Sequence, residues 1–253
     1  MKSLEKMISI LDLFEGTDME WTPEAMADRL ELTRSTLYRY LKVLTDAGLL
    51  NSLPGVGYTL GPRIAELDFR MRHSDPLISA SRPVMAEILS EVPGIALLCR
   101  RYRDLVLCVH QETSPGIGFR STYERGSARP MLRGAASRII LAHLPGPALR
   151  KLHQEAPKDF IASGLGEDLV QARANMRAIR QRGVAVTRGE LAIGVTGIAA
   201  PIFDSKGVIL GSLSVTIGQS DLQPDRVAFV VDRVSFGARI VSKAIARDRE
   251  SLA

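Results

Sequence analysis

Residues Thr22–Leu50 read TPEAMADRLELTRSTLYRYLKVLTDAGLL, and this stretch decides the architecture of the N-terminal part of the chain. Thr22 is a capping hydroxyl, Pro23 suits the first helical position because it has no amide to leave unsatisfied, and Glu24 puts an acid in the first turn. Met26 and Leu30 form the buried stripe of this helix. Only Glu31 and Leu32 separate it from Thr33, a second good cap, after which a further helix runs through Arg34 to Gly48. Leu37, Leu41 and Leu44 recur at helical spacing and supply its inward face. Two short helices joined by so brief a turn must cross steeply, which is the helix-turn-helix arrangement.

Before this core, Leu4, Met7, Ile8, Leu11 and Phe14 repeat at helical spacing, with Ser3 as N-cap and Gly16 as terminator. After it come Leu49-Leu50, the turn-rich Asn51–Gly57 and Tyr58-Thr-Leu-Gly61, two short extended pieces around a Pro/Gly turn. They predict a β-hairpin, the wing of a winged helix-turn-helix.

A helix lying in the DNA major groove needs a face free of bulky aliphatics and supplied with donors. With the leucines inward, Arg34, Ser35, Thr36, Tyr38, Arg39 and Lys42 face out or flank. Arginine bonds a guanine edge bidentately, and Ser and Thr bond bases or phosphates. Asn51 and Ser52 in the wing are placed for the neighbouring backbone or minor groove, while Tyr40 reads as a packing residue. Residues 1–62 carry nine acids against six bases, yet no acid lies between Leu32 and Thr45. Local charge governs, because a phosphate senses charge within a Debye length of about 8 Å. The competing reading is a three-helix bundle with a merely solvated polar face; the wing and the acid-free basic helix weigh against it.

Beyond the wing, Pro62–His73 is helical in pattern, with Ile64, Leu67 and Met71 on one face, and Ser74-Asp75-Pro76 breaks it. A further helix, carrying Ile78, Val84, Met85, Ile88 and Leu89, ends near Pro93-Gly94. Ile95–Tyr102 and Leu105–Gln111 are β-rich runs around an Arg103-Asp104 turn, with Gly118–Tyr123 as a third strand. Helical patterns follow at Ala135–Leu144, Pro147–Glu155 and Glu167–Arg182. Strands return at Val184–Thr187, Val195–Phe203 and Val208–Ile217, and a long amphipathic helix from Pro224 to about Arg247 closes the chain. Strands, then helices, then strands indicate an α+β domain with a largely antiparallel sheet.

The 253 residues are 45% hydrophobic, enough to fill real cores, and the net charge of +5 with a pI near 9.4 is compatible with nucleic acid. No stretch approaches the roughly 20 apolar residues of a membrane span, and the N-terminus lacks the layout of a signal peptide. Cys99 and Cys108 match no disulfide framework or metal spacing, so the cytoplasm is the expected compartment. Catalytic constellations fail one by one. Gly55-Val-Gly57-Tyr-Thr-Leu-Gly61 has the wrong spacing for a nucleotide loop, no Gly-x-Ser-x-Gly elbow occurs, and His73, His110, His143 and His153 are scattered. Cys108 reads as a small buried hydrophobe. The remaining competitor is a small-molecule-binding α+β enzyme whose N-terminal helices serve assembly alone.

At this point the chain resembles the IclR family of bacterial regulators almost end to end. The residues that carry the resemblance are Ser3-Leu-Glu-Lys6, Ser35-Thr36 with Arg39 and Leu44, Gly48-Leu49-Leu50, Tyr58–Arg63 and Arg82-Pro83. In the C-terminal half they are Arg180, Gly183-Val-Ala185, Glu190, Gly194–Ile202, Asp204, Gly207 and the Leu213-Ser-Val215 strand. The resemblance implies a DNA-binding domain at 1–61, a linker helix at 62–75 and an effector domain with a GAF/PAS-like sheet flanked by helices at 76–253. It implies a homodimer, often paired again into a tetramer, that binds double-stranded operator DNA and responds to a small organic or aromatic acid. No metal, cofactor or catalytic residue is implied.

By position, the family's pocket falls on Gly134, Ala135 and Ala136, on Gly197, on Ser214 and Thr216, and on the region of Thr187 to Glu190. Free amides at a helix start suit a carboxylate, and the two hydroxyls alternate onto one sheet face. The chain departs from the usual pattern at Leu132-Arg-Gly-Ala-Ala-Ser-Arg138 and at Gly197, where a polar or sulfur-bearing residue is common. Glycine there is expected to leave room for a bulkier acid, with Arg120, Arg133 or Arg138 pairing with its charge.

Overall fold

A computed structural model describes residues 3–15, 18–119, 123–218 and 223–250, with side chains of the last helix to residue 247. The chain divides into two compact units, Met1–Ser74 and Asp75–Ala253.

In the first unit, α1 (Ser3–Asp12), α2 (Pro23–Leu30) and α3 (Arg34–Asp46) precede a hairpin of β1 (Leu50–Leu53) and β2 (Gly57–Leu60), followed by α4 (Pro62–Ser74). The caps form where the sequence places them. Thr22 Oγ1 accepts from the Ala25 amide at 3.2 Å, and Thr33 Oγ1 accepts from the Thr36 amide at 3.3 Å. Glu31, at φ +51°, makes the left-handed turn between α2 and α3. Ile10, Met26, Leu37, Tyr40, Leu41, Leu44 and Leu50 are buried together. Each full aliphatic burial contributes roughly 1.5–3 kcal/mol. In α1 the buried residue is Ile10, which the apolar stripe read from the sequence did not include; Leu4 and Ile8 are 72% and 48% exposed. Gly16, expected to end that helix, lies outside the described residues.

The wing pairs Leu50 with Leu60 and Leu53 with Gly57, and Trp21 and Tyr58 add a two-way backbone bridge at 3.0 and 2.8 Å. Gly57 is required beside it: its φ is +127°, and a Cβ there would lie 2.5 Å from the Trp21 carbonyl oxygen. No residue of α4 is buried, and its Leu67, Phe69 and Met71 are exposed.

The second unit opens with α5 (Pro76–Glu91), capped by Asp75, which accepts from the Leu77 amide at 2.9 Å. Pro83 lies inside α5 without ending it. Strands β3 (Ile95–Tyr102), β4 (Leu105–Thr113) and β5 (Ala128–Pro130) come next. Helices α6 (Ala135–Ala142), α7 (Gly146–Glu155), α8 (Pro157–Ala162) and α9 (Leu169–Arg182) follow, then β6 (Ala185–Arg188), β7 (Val195–Phe203), β8 (Ile209–Gly218) and α10 (Pro224–Glu250). The strand described after β4 is Ala128–Pro130; of the expected strand Gly118–Tyr123, Gly118, Phe119 and Tyr123 are outside any strand and residues 120–122 lie outside the described ones. The short helix α8 was not anticipated.

All pairings in the six-stranded sheet, ordered β5-β4-β3-β8-β7-β6, are antiparallel. Separate cores cover its two faces. Leu97, Cys99, Cys108 and Ala199 pack with α6, α7, α8 and α9, whereas Ala96, Leu98, Ile198, Leu213, Val215 and Ile217 pack with α5 and α10. Coverage on both sides explains why β3 begins as the unbroken apolar run Ile95–Cys99 instead of alternating with polar residues.

Candidate DNA-contact surface and effector cleft

Helix α3 presents Arg34, Ser35, Tyr38, Arg39 and Lys42 as exposed residues, and Asn51 and Ser52 are exposed on β1. Among the described residues no carboxylate pairs with Arg34, Arg39 or Lys42, so these charges face solvent uncompensated. The Arg39 guanidinium leans over the Tyr40 ring, 5.4 Å from its centroid. Thr36 differs from the rest. It is half-buried, and its Oγ1 accepts a hydrogen bond from the Thr33 hydroxyl at 2.9 Å while its amide donates back. Its hydroxyl oxygen thus sits beside the Thr33 cap as an acceptor, a bond that does not use its own proton. Tyr40 is buried, with its hydroxyl 2.6 Å from Ser3 Oγ.

In the second unit the sheet brings residues from distant parts of the sequence into one row. Thr187 on β6 is opposite Gly197 on β7, which is opposite Thr216 on β8; Leu97 on β3 is opposite Ser214. The N-terminus of α6 lies over this row. One cleft is lined by Arg133, Gly134, Ala135, Ala136, Thr187, Glu190, Gly197, Ser214 and Thr216, all nine of the residues expected there, together with Leu97, Tyr123, Ser137, Leu191 and Val195. Period-two alternation makes this possible: Ser212, Ser214 and Thr216 of β8 face α6, while Leu213, Val215 and Ile217 face the opposite core.

The start of α6 is rich in unused donors. Its cap Gly134, at φ +83°, has no side chain, and the amides of Ala135, Ala136 and Ser137 bond no partner among the described residues. Ser137 Oγ is buried and also unpartnered. Ser214 Oγ makes only a long contact, 3.4 Å to the Leu97 carbonyl oxygen. Gly197 does not leave room for a ligand as expected. A Cβ there would sit 3.2 Å from Thr187 Oγ1 and 3.4 Å from Ala135 Cβ, so the missing side chain lets α6 close down on the sheet.

Two arginines flank the cleft, and both are engaged by Glu190. Arg138 pairs with its Oε1 at 2.9 Å, and Arg133 donates to its carbonyl oxygen at 2.9 Å. The Gly134 amide donates to Glu190 Oε2 at 3.0 Å. Partial burial pulls the Arg138 pKa down, opposed by the charge of Glu190. Burial pushes the Tyr123 phenol well up, and its hydroxyl donates to the Val106 carbonyl oxygen. Cys99 and Cys108 are fully buried, and burial raises the Cys99 thiol, which disfavours its thiolate. Arg120 lies outside the described residues. No group of three or more metal-ligating side chains gathers among the described residues, and no helix there is long and apolar enough to cross a membrane. Ser137 and Leu191 escaped the sequence reading; the i+2 position after Ala135 was the available signal for Ser137, and none existed for Leu191.

Residues 69–243 match the C-terminal domain of bacterial IclR transcriptional regulators, and residues 3–54 match the IclR helix-turn-helix domain. The chain belongs to the IclR family. It is similar to the HTH-type transcriptional regulator BhcR of Paracoccus denitrificans, 26% identical over 260 residues that span 99% of this chain and 90% of that one. It is 24% identical to the Pca regulon regulatory protein of Pseudomonas putida over 216 residues, 85% of this chain and 74% of that one. Among solved structures, an IclR regulator from Alicyclobacillus acidocaldarius shares the fold with a TM-score of 0.80 at 23% identity, covering 96% of this chain and 98% of that one. An IclR homologue from Microbacterium hydrocarbonoxydans, complexed with 4-hydroxybenzoate, has a TM-score of 0.78 at 19% identity and covers 96% and 99%. As an IclR-family member this chain is a transcriptional regulator with a helix-turn-helix and an effector-binding domain, and its relatives carry the names of regulators and repressors rather than enzymes.

Proposed function

We propose that this IclR-family regulator binds operator DNA through α3 and the wing, and that a small organic or aromatic acid bound in the α6 cleft changes its affinity for that DNA. Residues 1–61 serve as the DNA-binding domain, 62–75 as the linker helix and 76–253 as the effector domain, working in the cytoplasm. Arg34, Ser35, Thr36, Tyr38, Arg39 and Lys42 form the reading face, supported by Asn51 and Ser52. One helix makes few base contacts, so two copies on a palindromic pair of half-sites supply the rest, as a dimer or a pair of dimers.

The observation that carries this reading is the convergence of unpaired amides at the start of α6, the buried Ser137 hydroxyl and the Ser214 and Thr216 row on one cleft. Oriented amides at a helix N-terminus favour an anion, and hydroxyls fix its orientation. The 4-hydroxybenzoate bound by the Microbacterium homologue is an acid of this class.

The test is operator binding by the full chain, on DNA from upstream of its own and neighbouring genes, with and without acids that raise its Tm. The first acid to try is 4-hydroxybenzoate. Coupling of about 1–3 kcal/mol would change DNA affinity roughly 5- to 150-fold. Affinity unchanged by every stabilising acid would refute direct control of DNA binding.

A further inference from the structure

The cleft already holds a carboxylate, and it belongs to the chain itself. Glu190 lies in the Gly189–Gly194 connection between β6 and β7. Its Oε2 takes the Gly134 amide at 3.0 Å and its Oε1 takes the Arg138 guanidinium at 2.9 Å. Arg133 fastens the same residue through its carbonyl oxygen. Beside it, Leu191 lies against Gly134, so close that a Cβ on the glycine would be 2.8 Å from Leu191 Cδ1.

With this segment in place the cavity amounts to about 40 Å³. Ligand pockets run to roughly 300–1,000 Å³. A ring-bearing acid does not fit unless Glu190 and Leu191 leave. The donors meanwhile exceed what Glu190 uses: among the described residues the amides of Ala135, Ala136 and Ser137 meet no acceptor, and the buried Ser137 hydroxyl has no partner there.

Building on the effector-cleft reading above, we propose that Glu190 is the resident ligand of the cleft. Its carboxylate occupies the anion seat, holds the Gly189–Gly194 segment across the cleft and is exchanged for the carboxylate of the effector. Charge decides which molecules can make the exchange. Arg138 has a side chain only 19% exposed and also donates to the Ser163 carbonyl oxygen at 2.7 Å, so a neutral ligand that displaced Glu190 would leave a half-buried cation without the Glu190 counter-charge. A carboxylate restores the contacts to both Gly134 and Arg138, and the apolar body attached to it takes the space Leu191 vacates. Gly189 at φ +67° and Gly194 at φ +77° bracket the segment that moves. The site therefore selects carboxylic acids with an apolar body.

Acetate, a carboxylate with almost no body, is the probe. In full-length Glu190→Ala the seat is vacant, so acetate raises Tm saturably where chloride at equal ionic strength does not. Its affinity exceeds that for the wild type by at least about tenfold, because the internal competitor is gone. Amide exchange over residues 189–194 is faster in the variant. Glu190→Gln keeps an oxygen for the Gly134 amide but offers no charge to Arg138; it shows the same gain in smaller measure and covers the case in which the alanine variant does not fold. Equal acetate affinity in wild type and variants overturns the proposal. If variants gain acetate affinity while no organic acid binds the wild type, the seat stands and the effector reading falls. If an acid binds the wild type in the cleft without faster exchange over 189–194, the effector reading stands and the exchange falls.

Discussion

The hydroxyl of Tyr40 meets Ser3 Oγ at 2.6 Å, fastening the first turn of α1 to the inner face of α3. The bond joins the start of α1 to the helix that carries the exposed Arg34, Arg39 and Lys42, and it draws the phenol's pKa below its ordinary value with help from Arg39. Tyr40→Phe removes this bond and leaves the ring packing intact. We expect a loss of about 0.5–1.5 kcal/mol in the N-terminal unit, seen in urea unfolding of the full chain, since Ser3 can turn to water.

On the proposed reading face, Arg39 and Lys42 are expected to make two kinds of DNA contact. Arg39→Ala is expected to cost about 1–3 kcal/mol per half-site and to relax preference at one base position. Lys42→Ala should weaken all sequences alike and lower the salt slope of log K by about 1. Titrations on operator and scrambled DNA at several salt concentrations distinguish these patterns. Full operator affinity in Arg39→Ala would remove that side chain from the reading face.

Thr196 lies fully buried on β7, and its hydroxyl has no partner. It is opposite Ile217, on the face packed with α5 and α10. Thr196→Val replaces the stranded oxygen with a methyl group of similar size. An increase in stability of about 1 kcal/mol is expected by thermal unfolding, because burying an unpaired hydroxyl costs about 1–3 kcal/mol. The same logic applied to Ser137→Ala predicts unchanged or higher stability with weaker binding of whichever acid the wild type takes.

His143 supplies a pH dependence. Burial lowers its pKa, with the neighbouring Arg180 charge adding to the effect, and its Nδ1 bonds the Ile139 carbonyl oxygen while the ring meets Phe203 edge-on. A base whose folded pKa is depressed takes up its proton more readily when unfolded. Its contribution is therefore present above the unfolded value of about 6.5 and is lost as pH falls below it. Replacing His143 with Gln should flatten the decline in Tm between about pH 6.5 and 5. An identical decline in the variant would assign it to other groups.

Much of the architecture was legible because local chemistry and global packing agree. The caps Thr22 and Thr33, the leucine period of α3 and the Arg103-Asp104 turn each specify their geometry within a few residues. Eight of the cleft residues converge where the resemblance places the family's pocket, and Arg133 joins them as one of the arginines expected beside a ligand charge. What stayed hidden depends on neighbours distant in sequence. The apolar pattern of α1 is nearly all-round, so it could not show that Ile10 is inside while Leu4 and Ile8 are out. Nothing in the sequence around Thr36 showed that its hydroxyl oxygen would accept from Thr33. Gly197 looked like added space, until the position of α6 showed that the space is already taken. Glu190 was assigned to the cleft, but its bond to Gly134 crosses more than fifty positions, and no local pattern encodes it.

The alternation along β8 has a consequence for how such regulators diversify. Odd positions from Leu213 to Ile217 support the scaffold, while Ser214 and Thr216 line the cleft proposed to take the effector. If the cleft is the effector site, exchanges at Ser214 and Thr216 are expected to retune chemical preference while the opposite face of β8 keeps its packing. After gene duplication, a copy of this chain can come to answer a new metabolite while its framework stays as it was.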